Sequence, residues 1–90
     1  MRTLILKYPV TPGLLQRLPA GGEIRKVAFQ HGRLMVWIEH LGPEDAERGL
    51  GREIMVIPTG AAMAIPKAFK YVDTAVSDDL VWHVYAGPVS

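Results

Sequence analysis

The chain has 90 residues, 49% hydrophobic and 21% charged, with ten Lys and Arg against nine Asp and Glu for a formal net charge of +1. That length holds one domain, and that balance excludes a polybasic nucleic-acid-coating protein, an acidic tail and a disordered chain. There is no cysteine, so disulfides, thiolate catalysis and cysteine-built zinc or iron–sulfur centres are excluded too.

Nine glycines and seven prolines punctuate the chain at intervals suited to short strands and turns. The first strand is expected over Thr3 to Tyr8, with Leu4, Leu6 and Tyr8 on one face and Thr3, Ile5 and Lys7 on the other. Pro9 and Pro12 are expected to end it, because neither donates to a ladder. Leu14 to Leu18 is a short apolar segment that fits a brief strand or a helical turn. A Pro19-Ala20-Gly21-Gly22 turn follows.

Glu23 to Gln30 and Arg33 to His40 form the clearest hairpin, with only His31-Gly32 between them. A two-residue hairpin loop needs positive φ at both central positions. Glycine takes that conformation freely and His is among the residues enriched there, so His31 reads as a turn residue. The second strand runs Leu34-Met35-Val36-Trp37-Ile38. With both faces apolar it is expected to be a central strand buried on both sides, and Trp37 reads as core.

Gly42 to Gly51 is a polar excursion. A helical turn near residues 43–48, with Pro43 first and acids near its start, and a plain loop fit it equally. Arg52 to Ile57 is the next strand, with Ile54 and Val56 opposite Met55 and Ile57, closed by Pro58-Thr59-Gly60. The apolar, aperiodic Ala61 to Lys67 suits a segment packed on a sheet or on a neighbouring subunit. Phe69 to Val76 and Leu80 to Tyr85 pair as a last hairpin about the Ser77-Asp78-Asp79 turn. The expected fold is a single all-β domain over residues 1–90, with about six short, mostly antiparallel strands curled into a small barrel or sandwich.

Catalytic constellations are hard to assemble. Ser77 sits in a turn and Ser90 is the last residue, which leaves little for a nucleophilic triad. Asp78-Asp79 and Glu44-Asp45-Glu47 are adjacent acids in polar turns, without the burial that would separate their acidities. His31, His40 and His83 lack metal-binding spacing, and Glu39 and His40 point to opposite faces of one strand. The phosphate-cradling glycine pattern is missing. Thr59-Gly60-Ala61-Ala62 fits a small anion nest or an ordinary turn. No catalytic residue, metal or cofactor is expected.

Charge is unevenly spread. Residues 1–33 hold six basic residues and Glu23, a net +5; residues 34–66 hold five acids and two basic residues, −3; residues 67–90 come to −1. The basic third could line an anion site, pair with the acidic middle of another subunit, or simply protect strand edges. Trp82 beside His83 and Tyr71 beside Lys70 read as core or as a stacking wall for a flat ring. No run approaches the ~20 apolar residues of a membrane span. Lys7 and Pro9 break the first apolar run with no cleavage site after it, so a cytoplasmic location is expected.

Lys7-Tyr8-Pro9, Leu18 to Gly21 leading into Glu23-Ile24, Gln30 to Trp37, Thr59-Gly60, Tyr71 to Thr74 and Val81-Trp82-His83-Val84-Tyr85 together resemble a family of short phage and prophage proteins grouped as a domain of unknown function. The resemblance spans nearly the whole chain and implies viral or prophage origin and an all-β fold. It carries no catalytic residue set. Where many relatives have a polar residue after Thr-Gly, this chain has Ala61.

The function expected from these readings is non-enzymatic capture of a small anionic, nucleotide-like ligand, such as a host immune signal sequestered by a phage-encoded sponge. Arg25, Arg33, Lys67 and Lys70 would meet phosphates, Tyr71 and Trp82 would stack, and His83 would bond a base edge. The alternative is a structural or host-interaction protein that binds a protein partner. A minimal hydrolase with His40 or His83 as base ranks last. A homo-oligomer is expected under all three readings, since so short a chain covers two apolar faces poorly.

Overall fold

The computed structural model describes residues 4–13, 15–40 and 48–90. Seven strands fill most of them: β1 (Leu4–Pro9), β2 (Leu15–Leu18), β3 (Ile24–Gln30), β4 (Arg33–His40), β5 (Arg52–Pro58), β6 (Lys70–Ser77) and β7 (Leu80–Val89). They form two antiparallel sheets, β1-β4-β3 and β2-β5-β7-β6. The sheets stack as a sandwich, and no closed barrel forms. Of the Leu14 to Leu18 segment, Leu15–Leu18 is a strand paired with β5, and Leu14 lies outside the described residues. β1 ends at Pro9, as expected, and this edge strand tolerates a last residue without an N–H. Of the proposed helical turn, residues 43–47 lie outside the described residues and Arg48 is in a turn.

Alternation along the strands builds the core. Leu34, Val36 and Ile38 of β4, Ile54 and Val56 of β5, and Val84 and Ala86 of β7 are buried in one cluster, with Val27, Ala75, Leu18 and Ala20. β4 is the centre of its sheet, as expected. Its parity, however, turns Trp37 to the outer face, a correction to the core reading. There the ring is half-buried and the Lys26 ammonium lies 5.9 Å from its centroid. The β3–β4 turn takes the required conformation, with φ of 51° at His31 and 78° at Gly32.

β5 and β6 flank β7 and both run antiparallel to it, so they are parallel to each other. Parallel strands need a crossover connection, and residues 59–69 supply it. The core face of this sheet is already taken by the first sheet, so the connection straps the outer face. Ile57 is only 6% exposed there. Phe69 seats on Gly87, where an added Cβ would stand 2.8 Å from the ring. The apolar Ala61 to Lys67 segment is exposed apart from the half-buried Ile65, and part of it borders a pocket over Ile57, His83 and Tyr85. No helix among the described residues is long and apolar enough to cross a membrane.

Candidate functional site

At one end the interior of the sandwich opens into a cleft of about 500 Å³. Its floor is apolar: Ile24 from β3, Val72 from β6 and Ala86 from β7. Its charged walls are Arg52, Lys70 and Glu23. The local fold explains the two cations. Arg52 is two residues before the buried Ile54 on β5, so strand alternation points it to the same, inner side. Lys70 pairs with the buried Ala86 and shares its side. Two positive charges therefore occupy inward-facing strand positions where the next row is aliphatic. The Nε of Arg52 is buried without a hydrogen-bond partner among the described residues. Among the described residues neither Arg52 nor Lys70 has an ion-pair partner; the ion pair there is Arg25–Glu39 at 3.0 Å.

A second cluster lies on the outer face of the same sheet, beneath the strap. The Tyr71 hydroxyl is 2.7 Å from Thr74 Oγ1, which is 2.9 Å from His83 Nδ1. His83 Nε2 is in turn 2.8 Å from Thr59 Oγ1. The register explains the chain: Thr74 pairs with His83 across β6 and β7, and Thr59 begins the strap. Tyr71 also packs edge-on against Tyr85, with centroids 5.6 Å apart. A pocket of about 350 Å³ lies between the strap and Ile57, His83 and Tyr85.

The seven residues singled out from sequence are dispersed. Lys70 and Tyr71 line the same cleft, and Tyr71 reaches His83 through Thr74. Trp82 turns to the other face of β7 and packs against the core, its indole N–H buried without a partner. Arg25 is engaged by Glu39 on the first sheet. Arg33 is exposed just after the β3–β4 turn, and Lys67 is exposed in the strap. Arg52 and Thr74 were not singled out, and Thr59 was read only as part of a small anion nest or an ordinary turn. The signal for Arg52 was present: it stands two residues from Ile54 in a strand whose alternation is clear. Among the described residues no group of three His, Asp or Glu could hold a metal ion.

The class these features define is a small two-sheet β-sandwich with a crossover strap on one face and a cationic mouth at one end. Within that class the chain belongs to the family described as Domain of unknown function (DUF7352), which it matches over residues 1–90. No curated protein matches it, and no solved structure does.

Proposed function

We propose that this protein is a non-enzymatic receptor for a small anionic, nucleotide-like ligand seated in the mouth between the sheets. The carrying observation is the pair of cations at inward-facing strand positions, half-buried Arg52, whose buried Nε has no hydrogen-bond partner among the described residues, and the exposed Lys70, which lines the same cleft. Leaving a buried donor unpaired costs about 1–3 kcal/mol, and an anion would offset that. A guanidinium offers a planar fork to a phosphate and the ammonium a point charge. Ile24, Val72 and Ala86 supply an apolar floor, and the Tyr71 ring could stack on a base.

The resemblance to phage proteins makes nucleotide signals of host immunity the first class to test. A sponge of that kind needs affinity and no chemistry. Calorimetric titration should use cyclic dinucleotides, ADP-ribose derivatives and inorganic phosphate, on the wild type and on Arg52→Gln and Lys70→Gln. We expect at least one nucleotide to bind at micromolar concentration and each variant to weaken it about tenfold or more. No heat from any nucleotide at that concentration overturns the reading.

A protein-binding role draws on one observation. β1 is an edge strand whose Leu4, Ile5 and Leu6 are 47%, 46% and 42% exposed, a template for strand addition by another chain, including a second copy. One stoichiometric partner, or a dimer in light scattering, lost on Ile5→Lys would favour it.

A further inference from the structure

We infer that the pocket beneath the strap is a second binding site, for a neutral, ring-sized aromatic molecule carrying one hydrogen-bond donor. It is separate from the cationic mouth and does not depend on the ligand proposed there.

Size sets the first limit. About 350 Å³ lies at the lower end of small-molecule sites and suits one or two fused rings. The lining explains why the space is open: Gly60, Ala61 and Ala62 form the strap wall, where larger apolar side chains would have filled it. Gly60 has φ of 91°, a conformation that favours glycine there.

Charge sets the second limit. Among the described residues no Asp, Glu, Lys or Arg lines the pocket, so an ionic ligand would lose hydration with no counter-charge to replace it. Shape and polarisability favour an aromatic ring. Tyr85 and His83 present rings from β7, and Met63, 44% exposed at the lip, offers a flexible thioether to a ring edge.

The polar atoms then choose the ligand's functional group. Both nitrogens of His83 are already engaged, by Thr59 and Thr74. Thr59 Oγ1 contacts His83 Nε2 at 2.8 Å and the Val81 carbonyl oxygen at 3.4 Å. Accepting from His83 and donating to Val81 leaves that hydroxyl one lone pair. The pocket therefore has an acceptor to spare and suits a ligand N–H or O–H.

The test is amide chemical-shift mapping of the full chain with indole, benzene and benzoate. Indole should give saturable shifts confined to residues 59–65 and 83–85, with Kd of about 1 mM or tighter. Benzene should bind more weakly and benzoate should leave those amides unmoved. Ala62→Phe, at an exposed position, should abolish the indole shifts with the melting temperature unchanged. Thr59→Val should remove the preference for indole over benzene. The Arg52→Gln/Lys70→Gln double variant should bind indole as the wild type does, so failure of the mouth and failure of this pocket read out separately. The inference is overturned by no saturable shift up to about 10 mM, by equal response to benzoate, by wild-type binding in Ala62→Phe, or by loss of binding in the double variant.

Discussion

The Thr59 hydroxyl and the Nε2 of His83 stand 2.8 Å apart, and that bond ties the start of the strap to β7, an inner strand of its sheet. With His83 neutral and the Thr59 hydroxyl donating to the Val81 carbonyl, the chain of bonds runs in one direction. Tyr71 O–H donates to Thr74, Thr74 O–H to His83 Nδ1, His83 Nε2–H to Thr59, and Thr59 O–H to the Val81 carbonyl. Four side chains from β6, β7 and the strap are thereby held in a single arrangement.

Thr59→Val keeps the shape and deletes the hydroxyl, leaving His83 Nε2 unpaired. Because the site is partly exposed, the expected cost is about 1 kcal/mol. Differential scanning calorimetry should show a melting temperature lower by several degrees, about 4–8 °C per kcal/mol for a domain of this size. Thr74→Val should cost more, since Thr74 bonds both Tyr71 and His83. An unchanged melting temperature in both variants would show that the chain of bonds adds nothing to stability.

Gly22 allows a close backbone approach. A Cβ built there would overlap the Glu39 carbonyl oxygen, whose residue also donates its N–H to the Glu23 carbonyl at 2.9 Å. The clashing Glu39 carbonyl is backbone near the end of β4, and backbone cannot swing aside as a side chain can. Gly22→Ala should therefore destabilise by about 3 kcal/mol or more. Urea unfolding followed by tryptophan fluorescence checks it, and a wild-type midpoint would refute the packing described.

Arg17 clasps the end of the chain. Its guanidinium donates to Ser90 Oγ and the Ser90 carbonyl, each at 2.8 Å, and to the Gly49 carbonyl at 3.0 Å. Ser90 and Gly51 exchange two backbone bonds of 3.0 Å beside it. Arg17 is exposed, so Arg17→Met should cost only about 1 kcal/mol globally. The local effect should be larger. Amide exchange at Gly51 and Ser90 should accelerate while that of Val84 stays unchanged.

Arg52→Met should act with opposite signs on stability and on binding. It replaces an inward guanidinium, unpartnered at Nε, with an apolar side chain that packs beside Ile54, so the ligand-free protein should gain about 0.5–1 kcal/mol. The same change removes the fork that would meet an anion. A raised melting temperature with lost nucleotide binding is the expected pair of results. A lowered melting temperature would mean that Arg52 is held by interactions other than those described.

Gly87→Ala tests the far end of the strap. The new methyl would meet the Phe69 ring at 2.8 Å, and the ring must shift outward. A loss of about 1–3 kcal/mol is expected, relieved in the double variant with Phe69→Ala. Non-additivity in that cycle is the measurement.

Much of the fold was legible from local chemistry. Glycine, proline and aspartate turns bounded the strands, and His31-Gly32 specified its own tight turn because only a few residues accept positive φ. The side of Trp37 was not legible. Five apolar residues in a row carry no parity, so pairing with β1 and β3 alone decides which of them face inward. The seam between the sheets was equally hidden. β7 is last in the chain yet lies between β5 and β6, and that insertion turns an aperiodic apolar segment into a strap. The candidate sites follow the same division. By itself the sequence determined that the protein is a cysteine-free, turn-rich β domain with basic and aromatic residues to spare. Only the tertiary structure decided that Arg52 joins Lys70 at one mouth and that His83 sits under the strap among threonines. The reason is that strand order and register bring together residues far apart in sequence, and no local period encodes them.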